Sequence, residues 1–462
     1  MNPSPPHPTK QSGFRTALQY TGIPPSWLDK RPRLPSRNWL IFLSVTQSII
    51  AYYAYDRHQS RKIRQEYVDR VKHLAEDPLQ TLDFPRTVTV YGAKWPGDED
   101  WDRASRYFRK YVKPIFVAAA IDYSIIAGKR HGDLAIRVAN DIKTERRVAL
   151  GLDPPLTTAP ARGMAEAKRR RLLEGGTVIV GRPAFKEYMA GLRRGWTESL
   201  EHFDQDERLS RELEGDGHFD EPEISPGAGP SFDGLADIDA EPLPTPSRLP
   251  PSPPPGIYSP LSTAIRPPSP TPPSAPTPGR DPGKDVRPPI YLPPQPPLLL
   301  VPFVNLVGIK LVPLMIWDFF NERHKVRAGA EAAYRLVSCA VRPFERTDLD
   351  FDTSAEGYYK SSTAGLPTDV QKERTEYYKK LPEKLAAARA LARGEREPTK
   401  LEIEAPPPTE VELRAERLKK ETRWRADERG WELVRSDRPV EWDDRWEGAL
   451  EVFVDPPVDH WE

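Results

Sequence analysis

Residues that could carry chemistry are few and scattered along the chain. His131 sits in the short stretch Gly128-Lys-Arg-His-Gly132, where Lys129 and Arg130 could hold an anion. A solvated loop is the simpler reading of that turn. Asp98, Glu99, Asp100 and Asp102 could offer oxygen ligands to a cation. They lack the regular spacing of a calcium loop, so an exposed charged loop fits them better. No GxxxxGK[ST] phosphate loop, GxGxxG turn after a strand, HExxH or GxSxG is present. The lone cysteine, Cys339, rules out an internal disulfide and a cysteine-based zinc site. It reads as a small apolar residue in a strand over Leu336–Val341. The residues therefore predict no catalytic, cofactor-binding or metal-binding site, and a protein that is not an enzyme.

The charge balance bears on partners. Lys and Arg number 68 and so do Asp and Glu, so the basic surplus typical of nucleic-acid binding is missing. Locally the balance fails: the first 37 residues carry Lys10, Arg15, Lys30, Arg31, Arg33 and Arg37 against Asp29 alone. Proline is abundant, and roughly half of it lies between Pro222 and Pro297. Such a stretch buries too little apolar surface to pack a core. Two foldable blocks remain, about 120 and 60 residues long, each near the size of a small domain or half-domain.

Asn38 to Tyr55 has 18 residues without a charge. As a helix it would extend about 27 Å, close to the roughly 30 Å of a bilayer's hydrocarbon core. Leu40, Ile41, Phe42, Leu43, Ile49 and Ile50 supply apolar surface, with Asn38 and Trp39 at one end and Tyr52, Tyr53 and Tyr55 at the other. Aromatic rings at both ends suit the two interfaces. Gln47 and the hydroxyls of Ser44, Thr46 and Ser48 are tolerable beside a partner helix. The run starts too late for a cleaved secretory signal, and prolines interrupt any amphipathic presequence, so an uncleaved single-pass anchor in the lipid bilayer is expected. The almost purely basic N-terminal side favours placing that end on the positive-inside face.

Beyond this segment, β-branched runs alternate with amphipathic stretches. Arg86–Tyr91, Ile121–Ile126 and Thr177–Val180 predict strands; Arg103–Ala119, Asp133–Arg147 and Ala184–Arg194 predict helices. Pro114 should kink or end the first of these helices. Such alternation implies βαβ units and a mainly parallel sheet. An enzyme on this fold would bind its ligand past the strand ends, near Gly92 and Gly128. After the linker, Leu298–Val304 reads as a buried strand, followed by a helix through Asn321 and a strand over Ala332–Val341. The 20 residues Leu298–Trp317 carry only Lys310 as a charge, but Pro302 and Pro313 argue against a spanning helix.

The expected organisation is a basic, proline-containing segment 1–37, a transmembrane helix 38–55 and a charged helical stem 56–84. A first part of an α/β domain follows at 85–200, a disordered acidic and proline-rich linker at 201–297, and a second part at 298–345. A charged helical, Trp-rich region closes the chain at 346–462. There, Thr368-Asp-Val-Gln371 and Thr409-Glu-Val-Glu412 are capping-box patterns. Trp424, Trp431, Trp442, Trp446 and Trp461 read either as binding anchors or as side chains packed back on the domain. The proline-rich linker reads as a spacer, with an SH3-type adaptor as the alternative.

Arg33-Leu-Pro-Ser-Arg-Asn-Trp39, with Leu34, Pro35, Ser36 and Arg37 just before the apolar run, resembles the Tim54 family. So do Arg86-Thr-Val-Thr-Val90, Ile121-Asp-Tyr123 and Tyr107-Phe-Arg-Lys-Tyr-Val-Lys-Pro114, which holds Tyr107, Phe108, Tyr111, Lys113 and Pro114. Val301-Pro-Phe303 and Ile316-Trp-Asp-Phe-Phe-Asn-Glu-Arg323 are similar to the same family. The resemblance implies a non-enzymatic scaffold subunit of the mitochondrial inner-membrane translocase that inserts polytopic carrier proteins. It places the N-terminus in the matrix and the bulk of the chain in the intermembrane space. Implied partners are the channel subunit of the carrier translocase, small intermembrane-space chaperones and, through them, carrier precursor proteins, with no nucleic acid and no cofactor.

Overall fold

The computed structural model describes residues 36–76, 85–153, 162–200, 205–220, 288–363, 365–396 and 406–456. Leu34, Pro35, Trp461 and most of the proline-rich stretch lie outside them. Helix α1, Arg37–Val71, runs unbroken for 35 residues and carries the apolar run straight into the charged stem. Its apolar half is exposed, whereas Asp56, Ser60, Ile63 and Val71 are buried against the domain. No helix among the described residues is long and apolar enough to cross a membrane. The expected span at 38–55 is thus a helix of sufficient length whose apolarity falls short. Asn38, Gln47 and the hydroxyl-bearing side chains dilute its Leu, Ile and Phe content.

The chain is α/β. Its strands are β1 (Thr87–Gly92), β2 (Asp122–Ala127), β3 (Thr177–Val180), β4 (Leu298–Val301), β5 (Val341–Pro343) and β6 (Glu451–Phe453). They form one mixed sheet in the order β2-β1-β3-β4-β6-β5. The β2–β1, β1–β3, β3–β4 and β4–β6 pairs are parallel, and β5 joins β6 antiparallel. Strand periodicity sends alternate residues to opposite faces. Val88, Val90, Val178, Val180, Leu299 and Val301 enter one core, and Ile179 and Leu298 the other.

The first face is covered by α1, by the segments α2 (Arg103–Tyr107) and α3 (Lys113–Ala118), and by α9 (Glu322–Ser338). In chain order, α4 (Asp133–Ala149), α5 (Arg162–Gly175), α6 (Arg182–Thr197), α7 (Gln205–Glu214) and α8 (Val312–Phe320) come between α3 and α9. The second core packs α4 and α6 through Leu134, Val138, Phe185, Met189 and Leu192. Helices on both faces follow from the parallel crossovers.

Two expectations change around the end of α9. Ala332–Ser338, read as the start of a strand, is the end of α9, and only Val341–Pro343 is extended. Alanine-rich sequence favours helix, and Val326, Ala330, Ala333 and Val337 recur at helical spacing on its buried face. Cys339 is not a buried strand residue: it caps α9 in the left-handed region at φ 58° and is exposed.

The C-terminal region packs back on the domain. Helices α10 (Glu356–Thr363), α11 (Leu366–Ala392) and α12 (Glu410–Val434) precede β6. Thr409 and Glu412 form the expected capping box of α12. The pattern at Thr368 is not used, because α11 begins two residues earlier with Pro367 in its first turn. Trp424, Trp431 and Trp446 are buried, and Trp442 stacks on Phe344 at 6.0 Å between ring centres. Within the stretch read as linker, α7 is helical with Leu209 buried, and Leu292 is buried in the second core.

Candidate functional site

Besides pairing β3 with β4, the segments before and after the linker meet at a joint where the apolar run of α1 gives way to charge. Tyr52 donates to Asn321 Oδ1 at 2.6 Å, and Tyr53 stacks on Phe319 with ring centres 5.3 Å apart. One turn on, the Arg57 guanidinium lies 4.8 Å from the Tyr53 ring centre and donates to the Phe319 carbonyl at 3.3 Å. The buried Asp56 carboxylate accepts from the backbone N–H groups of Glu322 and Arg323 at 3.0 and 3.4 Å. It thereby caps α9, meeting donors that no residue inside the helix can satisfy.

Glu322 gathers the joint from three sides. It pairs with Arg57, lies 2.5 Å from Lys110 Nζ, and accepts from the Tyr111 hydroxyl at 3.0 Å. Burial, then the neighbouring Arg57 and Lys325, holds the Lys110 ammonium below its ordinary pKa; burial raises the Tyr111 hydroxyl. Tyr111 also faces α9 at Gly329, where an added Cβ would come within 2.6 Å of Tyr111 Cβ. Only glycine allows that approach.

Tyr107-Phe-Arg-Lys-Tyr-Val-Lys-Pro114 has its own local solution. A π-turn, Phe108–Val112, separates α2 from α3, and Pro114 falls in the first turn of α3. The bulge absorbs the proline that a continuous helix would reject. It also aims Phe108 and Val112 into the core while Tyr111 reaches Glu322. Tyr107 packs on Phe303 at 5.1 Å, and Lys113 lies over the Tyr123 ring at 5.4 Å. Ser36, Arg37 and the apolar residues Trp39 to Tyr55 remain exposed and away from this cluster, except Tyr52 and Tyr53 at its edge. Sequence reasoning named Asn321 and Glu322 only as part of a family-like motif, and it gave no role to either of them or to Asp56. The Asn-Glu pair opening an Ala-rich helical stretch was the available signal.

The place where an α/β enzyme would bind its ligand is occupied. The strand order reverses between β1 and β3, which makes their carboxyl ends the expected crevice. There the buried Arg182 donates to Glu356 at 2.6 Å and to the carbonyls of Leu349 and Phe351. Lys186 reaches the same Glu356 oxygen at 2.8 Å and the Arg435 carbonyl at 2.6 Å. Burial, opposed by Glu356, keeps Lys186 below its ordinary pKa. Trp95 contacts Phe303 and Tyr359 edge-on. A Cβ on Gly92 would meet Ala104 at 3.3 Å, and one on Gly128 the Leu134 backbone nitrogen at 3.3 Å. The protein's own segments thus fill this end of the sheet.

The other sequence candidates are structural as well. His131 is buried beneath Trp431, and burial pushes its pKa down to about 4. Within its turn, His131 and Gly132 are covered by α12, while Lys129 and Arg130 stay exposed to solvent. The acidic loop is matched by arginines: Arg103 lies 3.2 Å from Asp98, Arg106 3.4 Å from Asp100, and Arg109 3.3 Å from Asp102.

Residues 15–223 match the family described as inner membrane protein import complex subunit Tim54. A protein of Cryptococcus neoformans var. neoformans named mitochondrial import inner membrane translocase subunit TIM54 is 42% identical over 458 residues, spanning 98% of this chain and 96% of that one. Proteins of the same name from Aspergillus oryzae and Yarrowia lipolytica are 38% and 31% identical over 180 and 263 residues. The first covers 37% of this chain and 40% of its own, the second 42% and 45%. With a relative this similar along nearly its whole length, the chain belongs to the Tim54 family, non-enzymatic subunits of the protein import translocase of the mitochondrial inner membrane.

Proposed function

We propose that this subunit is a single-pass scaffold of the translocase that inserts carrier proteins. Its N-terminus faces the matrix, and its α/β domain docks small chaperones in the intermembrane space beside the channel subunit. The observation that carries the reading is the continuity of α1. One helix joins an exposed apolar half to a stem whose Asp56 is locked into the domain. A load on the domain is therefore transmitted to the anchor without a flexible hinge.

The composition of α1 is compatible with lipid once its polar groups are followed individually. Ser44, Thr46 and Ser48 each donate to a carbonyl of the preceding turn at 2.8 Å. Their hydroxyls are thus satisfied within the helix, as a bilayer requires. Gln47 remains as the polar side chain in need of a partner, and a helix of the channel subunit would supply one. The proline-rich stretch that follows α7 acts as a spacer.

The test is protease protection on isolated mitochondria, with and without rupture of the outer membrane, combined with alkaline extraction. Cleavage of the C-terminal region only after rupture, with an anchor that resists extraction, supports the proposed topology. A domain still protected after rupture, or free extraction, overturns it. Depletion of the protein should lower carrier insertion and spare presequence import. Equal loss of both would remove the carrier-specific reading.

A further inference from the structure

We infer that α8 and the turn before it form a second, shallow membrane contact, lying in the lipid interface beside α1. The inference rests on the anchoring role proposed for α1. Helix α8 reads Val-Pro-Leu-Met-Ile-Trp-Asp-Phe-Phe and has no buried residue. Ile309 in the preceding turn is 91% exposed, Trp317 62% and Ile316 55%. So much outward apolar surface on one short element marks an interaction site.

Three observations select lipid as the occupant. First, the single charged side chain of α8, Asp318, is partly covered and neutralised by Lys325 at 2.8 Å. The outer surface is left apolar. Second, α8 continues an apolar surface already assigned to the bilayer. Its Phe319 and Phe320 pack on Tyr53 and Tyr52, at the end of the uncharged run of α1. Asp56 and Arg57 follow at once, so this level is the boundary between hydrocarbon and water. Trp, Tyr and Phe at such a boundary form an interfacial belt.

Third, the dimensions and charges fit. A nine-residue helix is about 14 Å long, too short for the roughly 30 Å hydrocarbon core, so it lies along the surface. A cavity of about 350 Å³ opens beneath it, lined by Arg57, Arg103, Arg106, Lys110 and Lys325 on its cationic side, with Asp318 and Glu322 among them. Lys310 is exposed on the turn. Arg57, Arg103, Arg106, Lys110 and Lys325 are each paired with a carboxylate of the protein, so Lys310 is the cation left at this level to face a headgroup layer.

The test uses the full chain with Cys339→Ser, reconstituted in mixed phosphatidylcholine and phosphatidylglycerol vesicles. Single cysteines at Ile316→Cys, Ile50→Cys or Val411→Cys carry an environment-sensitive fluorophore. Quenching is read with nitroxides near the lipid headgroup, nitroxides near the chain end, and aqueous iodide. The Ile316→Cys label should be quenched most by the shallow nitroxide, from a depth of roughly 5–10 Å. The Ile50→Cys label should respond to the deep nitroxide, and Val411→Cys to iodide alone. Iodide quenching at Ile316→Cys with lipid quenching at Ile50→Cys overturns the inference and leaves the anchor standing. Shielding of the Ile316→Cys label from all three quenchers also overturns it, because protein then covers α8. Iodide quenching at both positions removes anchor and inference together.

Discussion

The carboxylate of Asp56, on the stem of α1, sits at the first turn of α9 and accepts from the Glu322 N–H at 3.0 Å. The two residues are 266 positions apart, on opposite sides of the proline-rich stretch. Asp56→Ala removes the cap and should cost about 2 kcal/mol, measured by chemical denaturation of the full chain in detergent. Protease nicking of the stem after Arg57 should rise with it. An Asp56→Ala protein as stable and resistant as the native one would show that the joint does not hold stem to domain.

Arg182 and Lys186 share Glu356 in the buried crevice. Glu356→Gln leaves two buried cations without their counter-charge and should destabilise by about 3–5 kcal/mol. The midpoint of thermal unfolding would fall accordingly. A loss of under about 1 kcal/mol, the scale of an exposed pair, would mean that water reaches the network.

Two buried groups set opposite pH dependences. His131 is held at about 4 by burial against an ordinary 6.5. The unfolded chain therefore takes up a proton first, and stability is lost as pH falls from 6.5 through 4. Burial pushes Glu187 from 4.5 up to about 8, against the backbone N–H groups of Gly132 and Leu134. Its contribution is present below 4.5 and lost as pH rises through 8. Each slope is at most about 1.4 kcal/mol per pH unit. They oppose between 4.5 and 6.5. Urea midpoints should show Glu187→Gln unmasking a rise toward pH 6.5 and His131→Phe a decline starting near pH 4.5. Unchanged profiles would show that neither group is shifted by the fold.

Gly430 of α12 lies so close to the His131 turn that an added Cβ would fall 1.8 Å from the His131 carbonyl oxygen. Gly430→Ala must push the helix off and should cost about 1–3 kcal/mol. Amide exchange should quicken along Glu410–Val434. Gly357→Ala, whose Cβ would meet nothing within 4 Å, serves as the neutral control. Equal behaviour of the two variants would remove the close approach as a stabilising contact.

The proline-rich stretch is testable by deletion. Removing 225–285 keeps Leu209 and the buried Leu292, and carrier insertion should stay near the native level. Loss of insertion with the chain still folded would favour the adaptor reading of that segment.

Much of the first block was legible in the sequence because its signals are local. The alternation in Thr87–Gly92, the helical spacing in Asp133–Ala149 and the Thr409–Glu412 cap each act within one element. The later strands were harder. Val341–Pro343 and Glu451–Phe453 have three residues each, too few for periodicity to show. β6 belongs to the sheet because β4 and β5 flank it. Propensity decided the other way at Ala332–Ser338, where alanine outweighed an apolar run.

By itself the sequence determined the composition-level facts: an uncharged helical run next to a charged stem, an alternating α/β pattern, a proline-rich interruption and family-like motifs on both sides of it. Only the tertiary structure decided that Asp56, Tyr111 and Glu322 meet, that Glu356 closes the sheet's crevice and that α8 stays uncovered. Local pattern records the face that a residue presents along its own element. Which distant element meets that face depends on the whole sheet order, and no short window of sequence contains it.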